Sequence, residues 1–261
     1  MTALAESYRK NGFVVHSEPV LPPTVVKDAV EGMDAIRCGE YGRGQPPEPS
    51  PWNPGDSEDT LCKIEQPQKA NQGVFDLISH SDIGRLAAEV TQADWVQVWW
   101  VQLLWKPVGV ESEQNRINIG WHQDRNYWGS WEEGSELLTA WVALSDVQED
   151  CGPMRFVPGS NHWGLIEGSA FHNGDLDEAK AGLCLPKDAT WTEETALMSA
   201  GGLSIHDCHT FHGSGANRSS RPRKSFAIHL RTQKSRPVDD LRKGLTRFID
   251  DASICPVIYQ R

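Results

Sequence analysis

Long apolar runs are missing from this chain. No window approaches the roughly 20 unbroken apolar residues that a spanning helix needs. The opening MTALAESYRKNGFVV carries Glu6, Arg9 and Lys10 where an export signal needs an apolar stretch. Both absences predict no membrane partner. Paired cysteines are missing too: Cys38, Cys62, Cys151, Cys184, Cys208 and Cys255 are scattered and form no C-x-x-C. That pattern favours free thiols in a cytoplasmic setting over a disulfide framework or a cysteine zinc site. Basic residues are in deficit, 25 against 36 acidic, for a formal net charge of -11. The deficit argues against nucleic acid, because phosphate binding is driven by clustered cations. Tyrosine is scarce at four, whereas tryptophan reaches eleven. Several tryptophans lie near polar motifs, where they would wall a pocket and favour a compact, partly apolar or cationic metabolite.

The 261 residues suffice for a sizeable core. No internal repeat or composition break divides them, which predicts one domain over 1–261. Residues 2–11 read as a helix stopped at Asn11-Gly12, followed by a short strand at Phe13-Val14-Val15. Pro22-Pro23 opens a second helix through about Arg37, with Val25, Val26, Ala29, Val30, Met33 and Ile36 on one face. The proline- and glycine-rich stretch Gly42 to Asp59 reads as a surface loop or an active-site lid. Ser81 is the expected N-cap of a helix carrying Ile83, Leu86, Ala87 and Val90. From Trp95 the chain turns to β-type runs: Val96 to Trp105, Ile117–Trp121, Leu137–Leu144, Met154–Val157, Leu203–His206 and Ser225–Arg231. The order predicts a helical flank over about 1–95, a β core over about 96–235 and a C-terminal extension over 236–261.

His122 and Asp124 stand two positions apart at the end of a strand candidate. On a strand that spacing puts both side chains on one face, within reach of one ion. A third ligand must come from elsewhere, and His206, His209 and His212 cluster after the strand that follows Gly201-Gly202. Two histidines and a carboxylate make the facial triad of non-haem iron(II) oxygenases. Zinc accepts the same donors, so spacing alone leaves the metal open.

Several motifs, in order along most of the chain, resemble the phytanoyl-CoA dioxygenase family of iron(II)- and 2-oxoglutarate-dependent oxygenases. They are Trp121-His122-Gln123-Asp124, the tryptophan strand Leu138 to Leu144, and the Gly152-Pro153-Met154 to Pro158-Gly159-Ser160-Asn161-His162 stretch. The last carries one extra Asn before its His. His212-Gly213-Ser214-Gly215-Ala216-Asn217 with Arg223 following, the opening Asn11 to Val15, and Gln102 with Lys106-Pro107 complete the set.

The resemblance implies a double-stranded β-helix (jelly-roll, cupin-like) core, mostly β with flanking helices. It implies His122, Asp124 and His212 as iron ligands, leaving His206 and His209 structural or in support of the ligands. Arg223 would clamp the distal carboxylate of 2-oxoglutarate, with Arg221 competing, and Ser214, Trp141 and Gln102 would share that pocket. Asn126, Tyr127 and Trp128 would contact the substrate, with packing in the turn as the alternative for Trp128 and Trp131. Pro158-Gly159-Ser160 and Asn217 read as turn residues. The implied reaction consumes O2 and 2-oxoglutarate, releases succinate and CO2, and hydroxylates an unactivated C–H bond of a small molecule. The presence of Asp124 favours hydroxylation over halogenation. Two rival readings remain on the residues: a cupin-like zinc or manganese isomerase or hydrolase, and a catalytically silent metal- or ligand-binding protein.

Overall fold

The computed structural model describes residues 2–109, 117–167, 176–238 and 242–261. Helix α1 (Ala3–Asn11) starts where the Thr2 hydroxyl accepts from the Ala5 N–H at 3.3 Å, and it ends at Gly12 with φ 84°. Glycine is required there twice over. The conformation is left-handed, and a Cβ would lie 2.3 Å from Thr210 Oγ1. The close approach ties the first helix to the loop that leads into His212. Helix α2 (Pro23–Arg37) buries Val26, Ala29, Met33 and Ile36, as its spacing predicts. Helix α3 (Gln72–Ile78), capped by Asn71, was not anticipated. In α4 (Ser81–Thr91) the capping group is the His80 ring, which accepts from the Asp82 N–H at 3.4 Å. Ser81 therefore stands one position inside the helix rather than at its cap.

Among the described residues eleven strands follow one another as β1 (Phe13–His16), β2 (Cys62–Glu65), β3 (Trp95–Lys106), β4 (Ile119–His122), β5 (Leu137–Ala143), β6 (Met154–Phe156), β7 (Glu194–Ala196), β8 (Leu203–Asp207), β9 (His212–Ser214), β10 (Arg223–Thr232) and β11 (Val257–Gln260). A short helix α5 (Leu176–Ala181) precedes β7. The larger antiparallel sheet runs β1-β8-β5-β10-β3-β11, with β2 also paired to β3. The smaller sheet runs β4-β9-β6-β7. Two of the larger sheet's strands thus come from the helical flank and one from the C-terminal extension.

Alternation along the strands assigns the two faces of the larger sheet. Val98, Leu103, Leu138, Ala140, Val142, Ile205, Phe226 and Ile228 join Met33, Leu77 and Leu86 of the helices in one apolar layer. On the opposite face Leu104, Trp141, Ala143 and Ala227 meet Met154 and Phe156 of the smaller sheet. The antiparallel sheets therefore face each other as a double-stranded β-helix with helices packed outside, as expected. The Gly42 to Asp59 stretch is irregular but anchored: Trp52 is buried, and Glu48 bridges to Glu65 of β2. No helix among the described residues is long and apolar enough to cross a membrane. All six cysteines are free thiols.

Candidate metal centre and its chambers

Strand β4 ends at His122, so the two-residue spacing to Asp124 does not run along a strand as expected. A 3₁₀ turn over Asp124–Tyr127 follows immediately and swings the carboxylate back to the histidine. His212 opens β9 and is paired directly with His122 across the smaller sheet. The three residues are buried and offer ligand atoms within 4.8 Å of one another. Asp124 Oδ1 lies 3.6 Å from Nε2 of each histidine.

The histidine tautomers follow from their backbone partners. His122 Nδ1 donates to the Gly120 carbonyl at 2.8 Å, and His212 Nδ1 donates to the Thr210 carbonyl at 2.9 Å. A carbonyl only accepts, so the proton sits on Nδ1 and each Nε2 lone pair is left for a metal. Burial, with His122 beside it, lowers the His212 pKa well below its ordinary value and keeps the ring neutral. Burial opposes ionisation of Asp124, but His212, His122 and His206 outweigh it and hold the carboxyl well below its usual range. Anionic oxygen and neutral imidazole are the protonation states a divalent cation needs.

The outer oxygen of Asp124 is held from behind. Thr139 Oγ1 donates to Oδ2 at 2.8 Å and is itself in contact with His229 Nδ1 at 2.8 Å. Burial lowers the His229 pKa to about 4. His206 Nε2 stands 3.4 Å from the same Oδ2, and neither of its ring nitrogens makes a hydrogen bond. His209 instead turns away to Asp207, 3.2 Å from its carboxylate.

A narrow inner chamber of about 40 Å³ extends from the triad between the sheets, lined by Gln102, Leu104, Trp141, Met154 and Ala227 among others. Beyond it Arg223, 1% exposed, opens β10 directly opposite Lys106 of β3. Lys106 Nζ donates to Ser214 Oγ at 2.6 Å, and Arg223 Nη1 donates to the same oxygen at 2.9 Å. The Ser214 hydroxyl passes its own proton to the Gly152 carbonyl at 3.0 Å, which also accepts from Arg223. Gly152 has φ 65°, and a Cβ there would meet Gly215 O at 2.5 Å, so only glycine lets this carbonyl come so close. Arg223 Nε and Nη2 are buried without a hydrogen-bond partner, as is Trp141 Nε1. Arg223 lies 5.1 Å above the Trp141 ring. Burial brings its pKa down to about 10, which leaves the guanidinium charged at neutral pH. The competing Arg221 is exposed in the preceding turn.

A second, outer chamber of about 790 Å³ opens on the other side of Asp124. Trp99, Trp100, Tyr127 and Trp128 form its aromatic wall, and Glu48, Lys63, Glu65 and Arg247 its charged lining. Trp128 is both wall and packing residue: its ring meets Trp99 edge-on at 4.8 Å. Trp131 is fully packed against Trp99 and does not line the chamber. Asn126 is exposed and stands outside the lining. Lys106 entered only through the Lys106-Pro107 match, with no role in the site, and Thr139, His229 and Glu65 were not singled out from the sequence. The signal for the first three was two-residue alternation from residues that were: Gln102 to Lys106, Trp141 to Thr139, and Arg223 to His229.

Comparison with known proteins follows the same lines. The profile of the phytanoyl-CoA dioxygenase (PhyH) family matches residues 8–225. Ectoine dioxygenase from Halomonas elongata is 30% identical over 142 residues, covering 45% of this chain and 42% of that protein. The match thus spans less than half the length of that relative. Among solved structures, the non-heme alpha ketoglutarate dependent carbocyclase SnoK from nogalamycin biosynthesis superposes with a TM-score of 0.70 at 23% identity, covering 94% of both chains. The epimerase SnoN, in complex with Fe3+, alpha ketoglutarate and nogalamycin RO, gives 0.68 at 22% identity, covering 95% of this chain and 88% of that one. At these identities the structural likeness shows the fold.

Proposed function

This chain belongs to the phytanoyl-CoA dioxygenase family of Fe(II)/2-oxoglutarate-dependent oxygenases, and from that premise we propose that it hydroxylates an unactivated C–H bond of a small molecule, residues 1–261 acting as one unit. His122, Asp124 and His212 hold the iron, and the side chains beyond the inner chamber hold the co-substrate. Iron(II) with 2-oxoglutarate and O2 supplies the oxidising power for C–H cleavage, with succinate and CO2 as by-products. The protein's own residues have three tasks. Two backbone carbonyls fix the imidazoles, Thr139 fixes the carboxylate, and Arg223 meets the distal carboxylate of the keto acid.

The carrying observation is the Arg223 guanidinium, buried with Nε and Nη2 unpartnered. A buried cation with idle donors costs several kcal/mol unless an anion completes it. A dicarboxylate that reaches the metal at one end and Arg223 at the other does so. Trp141 and Gln102 line the path between. The inner chamber holds little more than a water molecule at about 40 Å³. Keto-acid binding therefore widens it, and the unbranched Met154 side chain is suited to move. Asp124 fills its ligand position, which favours hydroxylation over halogenation. Tyr127 and Trp128 contact the substrate from the outer chamber.

The test is succinate release from 2-oxoglutarate under O2 with added iron(II). Wild type is expected to turn over, His212→Ala to lose activity with iron affinity, and Arg223→Ala to lose it with iron still bound. Activity retained in Arg223→Ala would move the reading to a zinc or manganese isomerase or hydrolase, which needs no carboxylate clamp.

A further inference from the structure

The outer chamber decides what reaches Asp124, and the contacts along its wall specify a charge. Two carboxylates besides Asp124 line it, and both are already occupied. Glu65 Oε2 accepts from Trp100 Nε1 at 2.5 Å, while its Oε1 accepts from Gln102 Nε2 at 3.3 Å and lies 3.4 Å from Lys63 Nζ. Glu48 pairs with Lys69 through Oε1 and with Arg247 through Oε2. Each carboxylate is thus already paired with a cation, so an ammonium group entering here would compete with Lys63, Lys69 or Arg247 rather than meet an unpaired charge. On the aromatic wall the Trp100 face already has a cation beside it, the Arg247 guanidinium 5.4 Å from the ring centroid.

With Asp124 assigned to the metal and Glu65 balanced by Lys63, the charge that remains is positive. Glu48 brings one negative charge against Lys69 and Arg247, so the trio keeps one positive charge in excess. Of the two cations Arg247 lines the chamber, and its side chain is 36% exposed. It gives Nη2 to Glu48 and Nη1 to the Gly244 carbonyl at 3.3 Å, which leaves part of its donor fork for a ligand.

We propose, on the basis of the oxygenase reading above, that the substrate is a small monoanionic carboxylic acid, its carboxylate docked at Arg247 and its carbon skeleton laid along Trp100 and Trp128 toward Asp124. The tryptophan-rich sequence alone favours a cation; the occupied carboxylates and the capped Trp100 face reverse that preference. A single excess charge matches a carboxylate better than a phosphate dianion.

The test uses the tryptophan emission of the 261-residue protein, titrated with cyclopentanecarboxylate, cyclohexanecarboxylate and pentanoate, each beside its primary amide and the matching alkylammonium. At least one acid is expected to give a saturable change with a Kd tenfold or more below that of its amide and its ammonium counterpart. Arg247→Gln should abolish that preference, and Lys69→Gln, which lowers the charge of the trio from behind, should weaken it. Circular dichroism checks that both variants fold. Saturable binding by none of the acids, equal or tighter binding of an amide or an ammonium, or an acid preference that survives Arg247→Gln would overturn the proposal. The iron(II) and 2-oxoglutarate spectrum of the same protein tests the oxygenase reading separately, so either can fail alone.

Discussion

Lys106 and Arg223 face each other across β3 and β10 and meet on one oxygen, the Oγ of Ser214, at 2.6 and 2.9 Å. Lys106 is completely buried, and its Nζ also donates to the carbonyls of Ser214 at 3.1 Å and Gly215 at 2.6 Å. The lysine thus fixes the turn that presents Ser214 to the guanidinium and adds a second positive charge to the end of the inner chamber. Lys106→Met keeps the length and the burial of this side chain but removes the charge. The expected result is a tenfold to hundredfold rise in the Kd for 2-oxoglutarate, the worth of a charge-assisted contact of about 1.5–3 kcal/mol. Iron affinity should stay unchanged, and titrating each ligand separately reads the two effects apart.

Thr139 is predicted to matter to the metal although it does not touch it. Its hydroxyl is the one side-chain donor to Asp124 Oδ2 among the hydrogen bonds of the described residues. Thr139→Val preserves shape and removes that bond. Loss of such a supporting partner weakens metal affinity by about tenfold to hundredfold. A competition titration with a coloured chelator measures it, and an unchanged iron affinity would mean that Asp124 needs no support.

The neutral, buried His229 makes the metal-free protein acid-sensitive. Its pKa is lowered to about 4 by burial, against an ordinary value of 6.5. Between those values the unfolded chain binds the proton and the folded chain does not. The contribution is therefore fully present above pH 6.5 and is lost as pH falls toward 4. At pH 5 the loss amounts to about 2 kcal/mol. Urea unfolding at pH 7.5 and pH 5 should show wild type losing about that much more than His229→Gln. Equal losses in the two proteins would show that the ring titrates normally.

Acidification should also release the iron. His122 and His212 bind through Nε2 only while neutral, so protons compete with the metal for the same atoms. Because burial holds the His212 pKa well below its ordinary value, iron retention measured after gel filtration is expected to persist at pH 6 and to fall only at more acidic pH.

Much of this was legible in the sequence, and the exceptions have physical reasons. The helices α1 and α2 and the six strand runs from Val96 onward follow from periodicity and from the Gly12 and Pro22-Pro23 punctuation. The short strands β2, β7, β9 and β11 were missed, although β1, β4 and β6 are as short; they owe their structure to the neighbours they pair with. The H-x-D and H-G-S motifs pointed to the three residues that come together. The geometry behind the H-x-D differed: a 3₁₀ turn, not strand alternation, brings Asp124 to His122. Thr139 and His229 look like ordinary strand residues, and His206 reads as one of three candidate ligands, until the register places all three around one carboxylate. Glu48 and Arg247 are the hardest case. They lie 199 positions apart and meet only because the Gly42 to Asp59 loop and the C-terminal segment close on the same chamber.

The most direct measurement is the visible difference spectrum of the anaerobic, metal-free protein on adding iron(II) and then 2-oxoglutarate. The account predicts a weak charge-transfer band that requires both additions, is lost in His212→Ala, and is lost in Arg223→Ala while iron still binds. Iron binding without any band would contradict it, since the triad would then hold a metal with no keto-acid site beside it.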